Sequence, residues 1–145
     1  MNDHLILGAF LSSILSGFVP LVNGEVLAVT AALLVTPAAH IPLIMACAGG
    51  QVLAKIGLYG VARWSPTRLP TRARDAIARF ETLGHRRGSV LLVLTSAGVG
   101  MPPFYLVTVA SGVLRLPPAS FVAASVVGTL ARYSFIVWGA TRFTN

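Results

Sequence analysis

Residues 5–37 read LILGAFLSSILSGFVPLVNGEVLAVTAALLVTP, and their interruptions decide the fold. An apolar arm over 5–19 breaks at Pro20 and passes through Asn23-Gly24-Glu25. It resumes as a second apolar arm to Val35, where Thr36-Pro37 stops it. Proline removes a backbone donor and clashes with the preceding turn, so each one ends or kinks a helix. Each arm has about 12–15 residues, or about 18–22 Å at the α-helical rise. That is short of a hydrocarbon core of ~30 Å. Two half-length arms joined at a proline tip predict a re-entrant hairpin.

The pattern returns over 89–118, SVLLVLTSAGVGMPPFYLVTVASGVLRLPP. Here an arm over 89–100 breaks at Met101-Pro102-Pro103, and a second arm runs from Phe104 to Leu116 before Pro117-Pro118. The hairpin tips are thus Pro20 and Gly24 in the first copy, Pro102 and Pro103 in the second. By contrast, residues 41–62 and 119–141 are apolar and long enough to cross completely. The alternative is four ordinary spans kinked at proline, which membrane helices tolerate.

An internal repeat of about 78 residues favours the hairpins. Gly50-Gln51-Val52-Leu53-Ala54-Lys55, ahead of Gly60-Val61-Ala62-Arg63, matches Gly128-Thr129-Leu130-Ala131-Arg132, ahead of Gly139-Ala140-Thr141-Arg142. Pro20 falls opposite Pro102, and Pro37 opposite Pro117. One complete crossing per copy inverts the second copy relative to the first. Broken helices in inverted repeats, meeting near the midplane, are a transporter architecture. The fold class expected is therefore an all-α integral membrane protein, an inverted repeat of re-entrant helical hairpin plus transmembrane helix. It reads as a single membrane domain over 1–145, with repeat 1 over 5–63, a basic amphipathic linker over 64–88 and repeat 2 over 89–142.

Composition agrees. The 145 residues are 55% hydrophobic and 10% charged, with a formal charge of +7. A soluble domain carries about 25% charged residues, so a water-soluble enzyme and a basic nucleic-acid binder are both excluded, despite a pI near 11.2. The start Met1-Asn2-Asp3-His4 lacks the positive n-region of a secretory signal, so residues 5–19 are read as part of the mature chain. The lone Cys47 forms no intramolecular disulfide. His4, His40 and His85 lack metal-ligand spacing, so no metal is expected. No nucleophile elbow, phosphate loop or carboxylate pair is present, and no enzymatic activity or cofactor is expected.

Seven cations, Arg63, Arg68, Arg72, Arg74, Arg79, Arg86 and Arg87, crowd into one short segment with Asp75 and Glu81. Such a segment between apolar stretches is assigned to the cytoplasm by the positive-inside rule. Within it Ile77, Phe80 and Leu83 recur at helical spacing, and Asp75 and Arg79 form an i,i+4 pair, which predicts an interfacial amphipathic helix. Residues 63–88 are accordingly expected to face the cytoplasm at a bacterial inner membrane.

Three charges remain inside apolar segments: Glu25, Lys55 and Arg132. An ionisable group at the centre of a span costs about 2.5–3.5 kcal/mol on insertion scales, so each requires a partner or a watery cavity. If the halves close on each other, one carboxylate and two cations meet with net positive charge, suiting a phosphate group. Asn23 and Tyr59 lie beside these groups in the sequence and complete the candidate set. The bland alternative is a structural Glu25–Lys55 ion pair, with Arg132 reaching to an interface. Arg115, beside Pro117-Pro118, reads as an interfacial anchor. Ala46, Gly50 and Ala54 have the small-xxx-small spacing of close helix packing.

Together, Pro20-x-x-x-Gly24-Glu25, then Gly50 through Tyr59-Gly60-x-x-Arg63, then Pro102-Pro103 with Ala110-Ser111-Gly112, Phe121 and Gly128, resemble the DedA/VTT superfamily, also called the SNARE-associated Golgi protein family. The resemblance covers residues 17–142 and describes a short, divergent member. It implies two facing re-entrant hairpins and a flippase or scramblase that transports lipids, polyprenyl-phosphate carriers included. Larger members place arginines around the second proline tip, where this chain has Val99 and Tyr105, and carry a second acidic residue that it lacks. Lys55 and Arg132 are expected to take the anion role instead. The partners expected are membrane lipids with an anionic phosphate headgroup, and a homodimer is plausible on geometry. Two rival expectations stand beside this one. One is a small multidrug-type, proton-coupled exporter of hydrophobic cations, disfavoured by Lys55 and Arg132. The other is a non-transport membrane assembly factor.

Overall fold

The computed structural model describes residues 2–19, 23–65, 71, 74, 75, 77, 78, 86–99 and 104–143. The tip prolines Pro20, Pro102 and Pro103 lie outside the described residues, as do Phe80, Leu83 and most of the basic linker. Among the described residues six α-helices have defined bounds: α1 (Asn2–Phe18), α2 (Gly24–Leu34), α3 (His40–Trp64), α4 (Arg86–Val99), α5 (Phe104–Val113) and α6 (Pro118–Arg142). A 3₁₀ turn, Pro37–Ala39, precedes α3. Among the described residues there is no strand.

The helix ends follow local chemistry. Asn23 caps α2, its Oδ1 accepting from the Glu25 N–H at 3.1 Å. Glu25 in the first turn complements the helix dipole. At the other end the His40 ring nitrogen lies 3.2 Å from the Ala32 carbonyl, one of the carbonyls a helix end leaves without an intrahelical partner. The α5 end carries a Schellman motif. The Leu116 N–H reaches the Ser111 carbonyl at 3.0 Å and the Arg115 N–H reaches that of Gly112 at 3.1 Å. Arg115 therefore adopts φ 53°, a left-handed conformation usually taken by glycine. Arg115 is exposed, so nothing is lost by removing its side chain. Arg115→Gly is expected to stabilise the fold by about 1 kcal/mol, read as a higher melting temperature in detergent.

Two helices, Pro37–Trp64 with its leading 3₁₀ turn and Pro118–Arg142, are long and apolar enough to cross a membrane. The others are shorter: α2 spans about 17 Å, α4 about 21 Å and α5 about 15 Å at 1.5 Å per residue. The α1 helix, at about 26 Å, starts three residues before the expected arm, with Asp3 in its first turn favoured by the dipole.

Contacts divide the chain into two compact units. The first comprises Met1–Ala54 and Thr129–Asn145, the second Lys55–Gly128, so each takes one end of each long helix. In the first unit α1 and α2 pack side by side. The Asn2 side chain donates to Thr36 Oγ1 at 2.9 Å, tying the start of α1 to the end of α2. The start of α1 and the end of α2 therefore lie together at one end of this unit. Ala9, Ala28, Ala32, Leu43, Tyr133 and Val137 form the core of this unit. In the second unit α4 packs on α5, with Val93, Ala97, Val107, Ala110 and Phe121 in one cluster. Ile77 of the linker packs against that cluster, while Arg74 and Asp75 are exposed.

Three glycines set the helix spacing. A Cβ on Gly50 would stand 2.6 Å from the Phe10 carbonyl, 2.9 Å from Ser13 Cβ and 3.2 Å from the Ile14 nitrogen. On Gly128 it would meet the Leu94 carbonyl at 2.8 Å, Ala97 Cβ at 2.6 Å and the Gly98 nitrogen at 3.1 Å. On Gly112 it would meet the Tyr59 carbonyl at 2.6 Å, Ala62 Cβ at 2.8 Å and the Arg63 nitrogen at 3.2 Å. The same notch recurs each time: glycine against residues i, i+3 and i+4 of a facing helix, which lets the backbones approach closely.

Large apolar side chains are exposed while several polar ones are buried. Leu7, Leu11, Leu15 and Phe18 expose one whole face of α1, and Phe135 and Trp138 are exposed on α6. Lys55, Ser96, Thr108, Ser111, Ser125 and Thr129 are buried. Water would penalise such an apolar exterior; acyl chains would not.

Candidate functional site

The first unit brings together most of the polar groups singled out in the sequence. Arg132 lies near the middle of α6, about 21 Å from its N-terminal end and about 15 Å from its C-terminal end. Its guanidinium pairs with the Glu25 carboxylate, Nη2 to Oε1. Glu25 is thus held by Arg132, the cation that the bland alternative had reaching to an interface. The carboxylate on the first turn of α2 is met by the cation that α6 carries past it. The pair is half-open, with side-chain exposures of 45% for Glu25 and 26% for Arg132.

Behind the pair sits a polar network that the sequence reading had not identified. Gln51 Nε2 donates to Ser16 Oγ at 2.6 Å, and Ser16 Oγ donates to the Ser13 carbonyl at 3.2 Å. The buried Tyr133 hydroxyl faces the side chains of Gln51 and Ser13. Gly24 closes the ring of contacts: a Cβ there would meet Ser16 Oγ at 2.5 Å, and Gln51 Nε2 and the Tyr133 hydroxyl both at 3.2 Å. Four elements, α1, α2, α3 and α6, thus converge polar groups at one level. The visible signals were faint: Gln51 inside an apolar span, serines spaced i,i+3 at Ser13 and Ser16, and Tyr133 beside the arginine. Asn23 enters as the helix cap already described rather than as a free ligand group.

Lys55 and Tyr59 belong to the second unit. Lys55 is 5% exposed, with its ammonium 5.2 Å from the Phe104 ring centre and 5.8 Å from that of Tyr105. Cation–π attraction of this kind is strongest where water is excluded. Tyr59 stacks on Phe121 with ring centres 4.6 Å apart. Its hydroxyl donates to the Leu116 carbonyl and accepts from Arg63 at 2.7 Å, and Arg63 also reaches that carbonyl at 3.2 Å. Tyr59 therefore fastens the base of α5 to α3. Chemically, the first unit offers a forked donor held by an exchangeable carboxylate, flanked by hydroxyl and amide groups. An anionic oxygen is the natural competitor for that donor.

No family model, curated protein or solved structure matches this chain.

Proposed function

We propose that this chain is a small integral membrane protein, a short divergent relative of the DedA/VTT superfamily. In this reading it moves a phosphate-bearing lipid, polyprenyl-phosphate or phospholipid, past a site near the middle of the bilayer. One observation carries the proposal: the half-open Glu25–Arg132 pair, backed by Ser16, Gln51 and Tyr133, near the midpoint of an apolar helix long enough to span. An ion pair at that depth is costly against acyl chains. Its openness suits a headgroup that replaces Glu25 on Arg132 while its tails stay in lipid. Lys55, held under Phe104 and Tyr105, supplies a second cation at the matching place in the other long helix.

The short helix pairs α1–α2 and α4–α5 support the reading as re-entrant hairpins. The equivalent notches, Gly50 of α3 against α1 and Gly128 of α6 against α4, support an inverted repeat. The basic segment 63–88 then faces the cytoplasm, at a bacterial inner membrane, by the positive-inside rule. A cation exporter is disfavoured further by the pair itself, because Arg132 already neutralises the lone carboxylate of that mechanism.

Proteoliposomes loaded with fluorescent polyprenyl-phosphate or phospholipid test this directly. Wild-type protein is expected to translocate lipid well above empty vesicles, and Arg132→Gln to lower the rate at least tenfold. A folded Arg132→Gln variant that translocates as fast as wild type would remove the site. Wild-type protein that moves no lipid would remove the lipid reading and leave the assembly-factor alternative, which co-purification of a defined partner would then support.

A further inference from the structure

Several helical hydroxyls in this chain, buried and exposed, share one habit. Thr108 Oγ1 donates to the Phe104 carbonyl and Ser111 Oγ to that of Val107, each at 2.7 Å. Thr30 does the same toward Val26 at 2.8 Å, and Thr95 toward Leu91 at 3.0 Å. This bond to the preceding turn is the cheap way to satisfy a hydroxyl in an apolar helix. Ser125 and Thr129 depart from it. They are 0% and 3% exposed, and neither Ser125 Oγ nor Thr129 Oγ1 has a hydrogen-bond partner.

Both residues lie on α6, so their spacing is set by that helix alone. Positions 125, 129 and 132 follow i, i+4 and i+7, which places the two hydroxyls and Arg132 along one face. Each hydroxyl can both donate and accept, and an unsatisfied one costs stability when buried. Water is the ligand whose chemistry matches: small, neutral, and able to bridge hydroxyls one turn apart. We propose that this face of α6 is a hydrated track leading to Arg132. It rests on the membrane placement given above and extends the proposed lipid path by naming where water follows the headgroup.

Thiol reactivity reads the track without any lipid assay. A thiol reacts with charged methanethiosulfonates as its thiolate, which forms in water and not in apolar packing. In a Cys47→Ser background, Ser125→Cys and Thr129→Cys in membrane vesicles are expected to react with aminoethyl methanethiosulfonate at least tenfold faster than Ala124→Cys. Ala124 is buried in an apolar cluster on the same helix. Rates no faster than Ala124→Cys would overturn the proposal. The second measurement uses the near-isosteric double variant Ser125→Ala/Thr129→Val. It is expected to melt no lower than wild type and to lose translocation at least tenfold, whereas full translocation would overturn the track. Fast labelling in a protein that moves no lipid would remove the lipid reading and leave the track standing.

Discussion

Arg132→Ala is expected to destabilise the protein by about 3 kcal/mol, the largest loss of any single side-chain truncation in the first unit. The cost arises from what stays behind. Glu25 is fixed on the first turn of α2, where Asn23 caps the helix, and it cannot withdraw when its partner is removed. A lone carboxylate then remains beside the middle of α6. Because the pair is partly open, the value belongs at the lower end of the range for breaking buried ion pairs. The double variant Glu25→Ala/Arg132→Ala is expected to lose less than Arg132→Ala alone, since no unpaired charge survives. The swap Glu25→Arg/Arg132→Glu is expected to recover only part of the loss, because a cation at the start of α2 opposes its dipole. Denaturant titration in nanodiscs checks the cycle, and a double-variant loss equal to the sum of the Glu25→Ala and Arg132→Ala losses would show that the pair contributes nothing.

Glycine-to-alanine substitutions are expected to split into two groups of opposite sign. Gly50→Ala, Gly112→Ala and Gly128→Ala should each lower stability by about 1–3 kcal/mol, because the added Cβ would stand 2.6 Å from Phe10 O, Tyr59 O and Ala97 Cβ respectively. In the first two the obstacle is a helix backbone, which has no rotamer to yield. Separating the helices by the missing ångström would also loosen the core behind them. Gly8→Ala, Gly60→Ala and Gly139→Ala meet nothing within 4 Å. These should gain about 0.5–1 kcal/mol from the lower backbone entropy of alanine in a helix. Melting temperatures of the six variants check the split, and a uniform sign across them would remove the close-packing account. Gly50→Ala carries a second consequence, since Gln51 beside it holds Ser16: displacing α1 should also disturb the network behind Glu25.

Much of the helix layout was legible in advance. Pro37, Pro117 and Pro118 mark breaks because proline cannot continue a hydrogen-bonded turn, and the intervening lengths follow by arithmetic. Glu25, Lys55 and Arg132 stood out because charge is rare in apolar runs and expensive there. The remainder of the candidate site was not legible. Serine and tyrosine are ordinary in apolar helices, so Ser13, Ser16 and Tyr133 carry no mark of their own. They become a network only when α1, α3 and α6 meet in one register. The choice of partner for Glu25 was equally hidden, since Lys55 and Arg132 offer the same charge at similar places in two apolar runs. Arg115 gives no hint of a left-handed backbone, because that conformation is imposed by the bonds closing the end of α5.

The amino-acid sequence by itself determined the class of molecule and the places where its helices stop. Composition, proline breaks and helix length are local quantities that no tertiary contact can reverse. The tertiary structure alone decided which charges meet, which glycines are notches and which hydroxyls go without a partner. Those are matters of distance between helices, set by sub-ångström packing at Gly50, Gly112 and Gly128, and a linear pattern of apolar residues does not encode that distance.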